Sequence, residues 1–344
     1  MEKEKSRNKS IDLMKSILTF FVILHHLLLR GPISLRQLLY GEFNINNSCY
    51  IVVNAFLVVA VNCFFISSGY FGIKRNKKKL IMLISSIYFF NWTISLISLV
   101  FLNVPIKLDQ IKSFIFPLGD YWFALTYCVL YIVAPIIEDM LQALSKNELS
   151  RISIIFFCVL CLYGFITDNP VVGVNSGYSI IFSLYLYLIG YLIRTNFCFH
   201  NHKNCLVIYA VLAIINSAFA LAFIYLGKQE LAWKIFSYNN PLVVFGSICF
   251  FVFFKNLNSE IINKNKMSFG RKSFYIYIIH STPAFANWYI GKMNELYSII
   301  PSTLFVVMIF LFSILIISYI AAVIYEKLWN SMSSHFFNNN SYKA

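Results

Sequence analysis

The chain is poor in charged residues. Asp, Glu, Lys and Arg make up 12% of its 344 residues, whereas 59% are hydrophobic and 18% are aromatic. A soluble domain carries roughly a quarter charged residues, so this composition excludes an ordinary soluble fold. Apolar runs of about 20 residues recur along the chain, and that length crosses a bilayer as an α-helix. The sequence therefore predicts an all-α polytopic membrane protein embedded in a lipid bilayer.

Acidic residues are scarce relative to basic ones. There are 14 Asp and Glu against 28 Lys and Arg, which gives a formal net charge of +14. No stripe of basic and aromatic residues lies outside the apolar runs in the way a nucleic-acid face requires, so we expect no nucleic-acid partner. The loops on one side of the predicted membrane carry 20 Lys and Arg, and those on the other side carry 7. The positive-inside rule then predicts that both termini are cytoplasmic.

Ten apolar runs predict a bundle of about ten transmembrane helices. Their approximate ranges are 11–29, 50–71, 80–102, 120–141, 152–168, 177–194, 205–227, 239–256, 273–291 and 301–326. The first run lacks a small-residue cleavage site and is expected to be an uncleaved first span. The longest loop, 30–49, is too short for a soluble domain. We expect one transmembrane domain over 1–330 and a polar, disordered cytoplasmic tail over 331–344.

The eight cysteines predict neither a disulfide framework nor a metal site. Most of them fall inside apolar runs, where a free Cys behaves as a small buried hydrophobe. Cys158 and Cys161 form a Cys-x-x-Cys pair, but they do so within a predicted span, whereas redox and metal sites need accessible thiolates. We therefore expect no bound metal.

The first span, IDLMKSILTFFVILHH, carries ionisable groups along one face. Asp12 and Lys15 are one helical turn apart, and His26 returns to their face about 16 Å beyond Lys15, whereas His25 is turned about 100° away. Ionisable residues inside a span are rare unless they are functional, so Asp12, Lys15 and His26 are candidate catalytic residues. In a second interpretation, Lys15 snorkels to the interface and the histidines only hydrogen-bond to neighbouring helices.

The second span ends in NCFFISSGYFGIKRNKKK, a run of small polar residues followed by a basic segment. Ser67, Ser68 and Gly69 permit close approach of another helix, and packing alone is a sufficient explanation for them. The basic segment is typical of cytoplasmic anchoring or lipid headgroup contact. Its functional alternative is a site for polyphosphate, which clustered Arg and Lys bind by charge-assisted hydrogen bonds. The basic residues are Lys74, Arg75, Lys77, Lys78 and Lys79.

Two further segments place polar side chains near the outer boundary of the predicted membrane. Tyr121 and Trp122 open the fourth span, where aromatic belts are normal. His280 lies late in the ninth predicted span, within GRKSFYIYIIHSTPAF. A lone histidine there more often packs against neighbouring helices than binds a ligand. The sequence leaves open whether His26 and His280 line one cavity.

In combination, these segments resemble acyltransferase family 3, bacterial integral-membrane enzymes that move acyl groups, usually acetyl, onto sugars of surface polysaccharides. The family's basic residue, ten intervening residues and histidine correspond to Lys15 and His26, with Asp12 three residues before the lysine. Its FFxxSGY-type motif corresponds to Phe64-Phe65-Ile66-Ser67-Ser68-Gly69-Tyr70. Further similar segments are YWFALTYCVLYIVAPII, YLYLIGYLIR (185–194), YNNPLVVFGSICFFVFF (238–254) and SFYIYIIHS (273–281), so the resemblance covers essentially the whole chain.

The resemblance is looser in the basic segment. The family's R-x-x-R-like pattern is matched by Arg75 and Lys78, and position 15 holds Lys where Arg is commoner. A lysine is a point charge without the bidentate fork of arginine, so a phosphate would be bound with different geometry.

The resemblance implies acetyl-CoA as the acyl donor, bound as a co-substrate rather than as a permanent cofactor. It implies a glycan or lipid-linked sugar as the acceptor and the plasma membrane of a bacterium as the location. His26 would be the general base, with an acyl-His intermediate as the alternative, and Asp12 would pair with Lys15. The predicted donor-binding residues are Lys15, Ser68, Gly69, Tyr70, Arg75, Lys77 and Lys78, and the predicted acceptor-binding residues are Tyr121, Trp122 and His280.

The alternative function is a transporter or exporter of a polysaccharide or lipid-linked saccharide. Intramembrane Lys and His stripes also suit transport, but the sequence shows no two similar halves and no paired broken helices. A sensor with a degenerate site is a further alternative. The joint presence of Asp12, Lys15, His26 and the basic segment argues against it.

Overall fold

In the computed structural model, residues 8–32, 34–40, 48–102, 108–167, 169–195, 202–258 and 269–338 are described. These ranges form α-helices joined by short turns and contain no strand. The α-helices are α1 (Lys9–Arg30), α2 (Leu35–Tyr40), α3 (Ser48–Leu57), α4 (Ala60–Phe71), α5 (Lys77–Leu102), α6 (Leu108–Ile115), α7 (Trp122–Gln142), α8 (Lys146–Phe156), α9 (Gly164–Thr167), α10 (Ile180–Thr195), α11 (His202–Tyr225), α12 (Gln229–Lys234), α13 (Pro241–Lys255), α14 (Phe269–Ser281), α15 (Pro283–Ile299) and α16 (Thr303–Asn338).

The chain divides into two compact units, which are described separately. Unit 1 comprises Met1–Arg75 and Val129–Gly270, and unit 2 comprises Asn76–Cys128 and Arg271–Ala344. Helix α7 contributes residues to both. The predicted catalytic residues of α1 belong to unit 1, and the predicted acceptor-binding residues belong to unit 2.

Seven helical segments among the described residues are long and apolar enough to cross a membrane. They are Lys9–Arg30, Ser48–Phe71, Lys77–Val100, Trp122–Gln142, Lys146–Thr167, Lys203–Tyr225 and Thr303–Ser333. Helices α10 and α13 are apolar but shorter. The prediction of an all-helical, multi-span chain is confirmed, whereas the count of ten spans and the cytoplasmic termini stay predictions.

The ninth predicted span, 273–291, is not one continuous helix. Helix α14 ends at Ser281, and α15 begins at Pro283. Between them Thr282 has φ −56° and ψ 123°, an extended conformation. A proline disfavours the helical conformation in the residue before it, so the Thr-Pro pair explains the break.

The second predicted span, 50–71, is also interrupted, at Val58–Val59 between α3 and α4. There the Tyr209 hydroxyl donates a hydrogen bond of 2.6 Å to the Phe56 carbonyl oxygen. A carbonyl near a helix break lacks its intrahelical partner, and this side chain supplies one.

At the other end of the chain, α16 continues to Asn338, within the predicted tail 331–344. Residues 339–344 lie outside the described residues.

Two glycines bring α4 and α10 into backbone contact in unit 1. A Cβ atom at Gly69 would lie 1.9 Å from the Tyr187 carbonyl oxygen, and one at Gly190 would lie 2.1 Å from the Ile66 carbonyl oxygen. No side chain fits at either position without moving backbone. The close helix approach predicted for the Ser-Ser-Gly segment is therefore confirmed. The contact also fixes the end of α4 beside α10.

Unit 2 is built around buried aromatic side chains. The Tyr325 ring lies 5.2 Å from Phe90 and 5.4 Å from Tyr275, measured between ring centroids. Its hydroxyl bonds to Ser85 Oγ at 2.8 Å and to the Met82 carbonyl oxygen at 3.0 Å. Aromatic contacts with satisfied hydroxyls hold α5, α14 and α16 together.

Candidate functional site

Helix α1 holds the predicted catalytic stripe on a single uninterrupted element. Asn8 caps its first turn, because the side-chain oxygen accepts hydrogen bonds from the Ser10 and Ile11 N–H groups. The helix then continues to Arg30 without a break. The helical spacing on which the stripe depends is therefore present, and Asp12, Lys15 and His26 are all half-buried.

The two histidines of α1 have different surroundings. His25 Nδ1 lies 2.6 Å from Asn54 Oδ1, and Asn54 is fully buried at 0% exposure. His26 is half-buried, and its ring centroid is 5.8 Å from that of His25. His25 therefore links α1 to α3, which gives it a structural role. The division of the pair into one packing histidine and one candidate base agrees with the helical spacing.

Lys15 lies beside the end of α4. Its Nζ is 5.6 Å from the centroid of the Phe71 ring, within cation–π range. On its other side, Gly270 approaches closely: a Cβ atom there would lie 2.5 Å from the Asp12 carbonyl oxygen and 2.8 Å from Lys15 Cβ. The Gly270 N–H also donates to Ser16 Oγ at 2.9 Å. The start of the stripe is thus held against α4 and the Gly270 backbone.

A second cation lies next to Tyr70. Lys255 Nζ, in the last turn of α13, is 5.6 Å from the Tyr70 ring centroid and donates to the Ile193 carbonyl oxygen at 3.5 Å. The Tyr70 ring packs on Phe251 at 5.3 Å between centroids. Two ammonium groups, one from α1 and one from α13, therefore flank the Tyr-Phe pair that ends α4.

Five residues form what we call the Gly72 corner: Gly72, Ile73, Glu138, Tyr187 and Arg194. Glu138 and Arg194 form an ion pair in which the carboxylate is 16% exposed and the guanidinium 30%. The Tyr187 hydroxyl donates to Glu138 Oε2 at 2.5 Å and accepts a hydrogen bond of 3.2 Å from the Ile73 N–H. Gly72 has φ +72°, and a Cβ atom there would lie 2.7 Å from Arg194 Nη1 and 3.2 Å from the Glu138 oxygens.

The basic segment follows directly from the Gly72 corner. Its five cationic residues, from Lys74 to Lys79, are all exposed. Arg75 belongs to unit 1, whereas Lys77 and Lys78 open α5 in unit 2. The Asn76 side chain accepts a hydrogen bond of 2.9 Å from the Lys79 N–H and so caps α5.

Two of the predicted donor-binding residues have structural partners instead. Gly69 is in contact with the Tyr187 backbone, as described above. Ser68 Oγ donates to the Phe64 carbonyl oxygen at 3.0 Å, one turn back along α4. Their role in donor binding stays a prediction, whereas their role in helix packing is now visible.

In unit 2, the predicted acceptor-binding residues are differently placed from one another. Tyr121 is 0% exposed, and its hydroxyl lies 2.9 Å from Thr282 Oγ1 and 3.1 Å from Asn91 Oδ1. His280 is 1% exposed, with Nδ1 2.7 Å from the Ile276 carbonyl oxygen. Because a carbonyl only accepts, Nδ1 carries the proton in this contact. Trp122 is half-buried. We call Asn91, Tyr121 and Thr282 the Tyr121 cluster.

Four residues at this site were not predicted from the sequence: Glu138, Tyr187, Arg194 and Lys255. Glu138 lies inside the fourth predicted span and Arg194 at the end of the sixth. Both were therefore ionisable groups within spans, the criterion that singled out α1. The sequence did not show that Glu138 and Arg194, 56 residues apart, form a contact. Among the described residues, no three His, Cys, Asp or Glu side chains are grouped so that they could hold a metal ion.

Comparison with known protein families adds an independent finding. The profile of acyltransferase family 3, described as an acyltransferase domain, matches residues 8–323. Comparisons with curated proteins and with solved structures give no match. The matched segment includes α1, the end of α4 and the Gly72 corner, as well as the Tyr121 cluster. The chain therefore belongs to acyltransferase family 3 and is a multi-pass membrane acyltransferase.

Proposed function

We propose that the protein is an O-acetyltransferase of a bacterial plasma membrane. It moves an acetyl group from acetyl-CoA, on the cytoplasmic side, to a hydroxyl of a surface polysaccharide or a lipid-linked sugar. Family membership supports acyl transfer, and the donor, the acceptor and the residue roles are our proposal. The observation that carries it is the geometry of α1, which joins a lysine beside the end of α4 to a half-buried histidine on the same face.

The separation along α1 suits a long donor. From Lys15 to His26 the helix rises about 16 Å. Coenzyme A joins its phosphates to its thioester through a flexible arm, so one end can bind cations while the other lies deep in the bundle. In this proposal Lys15, Arg75, Lys77 and Lys78 bind the phosphates, and the thioester reaches His26.

The transfer step requires one base and one leaving group. The His26 imidazole accepts the proton of the acceptor hydroxyl, whose oxygen attacks the thioester carbonyl carbon. The new C–O bond forms, the C–S bond breaks, and the departing thiolate takes the proton from the imidazolium. The products are the sugar ester and free coenzyme A. A covalent acyl-His26 intermediate is the alternative route to the same products.

The acceptor is proposed to enter near Trp122, with Tyr121 and His280 in the wall behind it. Trp122 is the half-exposed member of this set, and an indole ring provides the flat apolar face on which sugars stack. Tyr121 and His280 are buried and bonded to neighbouring groups, so they are suited to holding the shape of that wall.

The test is the ester content of cell-surface glycans in a strain with the gene and in a strain without it. We expect the deletion strain to retain polymer and to lose ester-linked acetyl groups, measured by release with mild alkali. Restoration by the wild-type gene, and not by the gene for His26→Ala, completes the test. Loss of the polymer itself would instead support the transporter alternative and would overturn the proposal.

A further inference from the structure

The Gly72 corner connects three helices to the segment that carries Arg75. Tyr187 and Arg194 come from α10, Glu138 comes from α7, and Gly72 and Ile73 follow the last residue of α4. Every contact among them lies within unit 1. The corner is therefore a local device at the point where the chain leaves α4.

The backbone of this segment is held by three separate constraints. The positive φ of Gly72 is a conformation that other residues rarely adopt. The Arg194 guanidinium and the Glu138 carboxylate both lie against the side where a Cβ atom would be. Ile73 lies beyond the end of α4, and its N–H is bonded to the Tyr187 hydroxyl instead of to a carbonyl of the helix. The direction of the chain towards Arg75 is fixed as a result.

Helix packing does not by itself account for the charges at this corner. Gly69 and Gly190 already bring α4 and α10 into contact. A partly buried ion pair contributes little net stability, because desolvation offsets its Coulombic attraction. Glu138 and Arg194 lie next to the basic segment, so an anionic ligand of that segment explains their position better than helix packing does. Lys15 and Lys255 add two further cations at the end of α4.

We propose that Glu138, Tyr187 and Arg194 are positioning residues for the phosphates of the acyl donor. They hold Gly72 and Ile73 in one conformation and so place Arg75 for charge-assisted hydrogen bonds to phosphate oxygens. Without them the segment samples several conformations, and ordering it on binding lowers the affinity for the donor. The inference rests on the proposed function, because it takes coenzyme A as the donor.

A donor without phosphates separates this role from a general structural one. S-acetylpantetheine keeps the thioester and the whole pantetheine arm but has no phosphate, so the conformation of the Arg75 segment is irrelevant to its binding. In Tyr187→Phe the hydroxyl that joins the Ile73 N–H to Glu138 is lost. We expect KM for acetyl-CoA to rise about threefold to tenfold, with kcat nearly unchanged and KM for S-acetylpantetheine unaltered.

Tyr185→Phe is the matched control. Tyr185 is buried in the same helix, and its hydroxyl lies near the Ser153 side chain rather than at the loop after α4. Both variants lose one buried hydroxyl from α10, so both lose some stability. We expect only Tyr187→Phe to change KM for acetyl-CoA.

Glu138→Gln provides a second variant that keeps the side-chain shape. It removes the charge partner of Arg194 and weakens the acceptor for the Tyr187 hydroxyl. A positioning role predicts a rise in KM for acetyl-CoA here as well. A fall in KM would show that Glu138 competes with the donor for Arg194, and it would overturn the inference.

Two further outcomes would overturn it. One is an equal rise in KM for both donors in Tyr187→Phe, and the other is an unchanged KM for acetyl-CoA. Failure of the proposed function is distinguishable, because the wild-type protein would then transfer acetyl from neither donor and would not bind coenzyme A in equilibrium titration. Titration of the purified proteins with coenzyme A therefore accompanies the kinetics, and we expect the same threefold to tenfold weakening in Tyr187→Phe.

Discussion

The Gly72 corner of unit 1 and the Tyr121 cluster of unit 2 are built on the same device. In each, the hydroxyl of a tyrosine at 0% exposure bonds to a residue just beyond a helix end, Ile73 after α4 and Thr282 after α14. Tyr187 bonds to a carboxylate and to a backbone N–H, in a group that contains an ion pair. Tyr121 bonds only to neutral groups, the Thr282 hydroxyl and the Asn91 amide oxygen.

The difference between them indicates different tasks. A buried neutral network loses less hydration energy than buried charges do, and each satisfied hydrogen bond adds about 1 kcal/mol, so the Tyr121 cluster is suited to holding the break at Thr282. A partly exposed ion pair adds little stability and is placed beside exposed cations. We infer that the Gly72 corner serves donor binding and that the Tyr121 cluster maintains the break at Thr282. The following predictions test that division.

The largest effect is expected from His26→Ala. Removing a general base costs roughly a hundredfold to ten-thousandfold in rate, so kcat should fall by that amount while the protein still inserts and stays folded. The measurement is acetyl transfer by purified protein in lipid vesicles. His25→Ala is the control, because its Nδ1 bonds to the buried Asn54. It should lower stability and reduce transfer far less.

Two results would contradict this assignment. Full activity of His26→Ala would remove the proposed base. Equal loss of transfer in both variants, with both proteins folded, would show that the face of α1 does not separate the two histidines. The assignment of the transfer step to the α1 stripe would then have no base to support it.

Arg75→Ala should give the next largest effect. A hydrogen bond to a charged group is worth about 1.5–3 kcal/mol, so KM for acetyl-CoA should rise at least about tenfold. Lys146→Ala is the control, because Lys146 is an exposed cation at the start of α8, outside the basic segment. An unchanged donor affinity in Arg75→Ala would leave the basic segment as a determinant of topology only.

A comparison of Gly72→Ala with Gly227→Ala separates backbone strain from the steric clash of a new Cβ atom. Gly72 and Gly227 both have positive φ, +72° and +69°, but a Cβ atom at Gly227 would meet nothing within 4 Å. Both alanine variants should lose about 1–3 kcal/mol, because alanine rarely adopts a positive φ. Gly72→Ala should lose more, because Arg194 and Glu138 must move. The measurement is thermal unfolding in detergent, and equal losses would show that the corner yields freely.

Much of the fold was predictable from the sequence, because apolar runs and helical spacing are local properties. The apolar helices, the face of α1 and the close approach at Gly69 all follow from such patterns. The break at Thr282 also has a local signal, because Thr282 precedes a proline. The surrounding apolar run is long enough for one span, and so a continuous helix was predicted there. The break at Val58–Val59 has no such residue.

The candidate site was predictable only in part. Lys15 and Tyr70 were named because each belongs to a motif, and the structure places Lys15 against Phe71, the residue after Tyr70 at the end of α4. The pairing of Glu138 with Arg194 depends on how α7 and α10 pack, which a single sequence does not encode locally. Nor did the sequence show that Tyr121 is bonded to Thr282, since the two are 161 residues apart.

The smallest effect is expected from Tyr121→Phe, and it tests the comparison most directly. The variant removes one buried hydroxyl, whose oxygen lies within hydrogen-bond distance of Thr282 Oγ1 and Asn91 Oδ1, so stability should fall by about 1 kcal/mol. KM for acetyl-CoA should not change, in contrast to Tyr187→Phe. The measurements are thermal unfolding and donor kinetics on the same preparation. A rise in KM for acetyl-CoA equal to that in Tyr187→Phe would mean that the Tyr121 cluster and the Gly72 corner contribute alike to donor binding. The distinction between them would then fail.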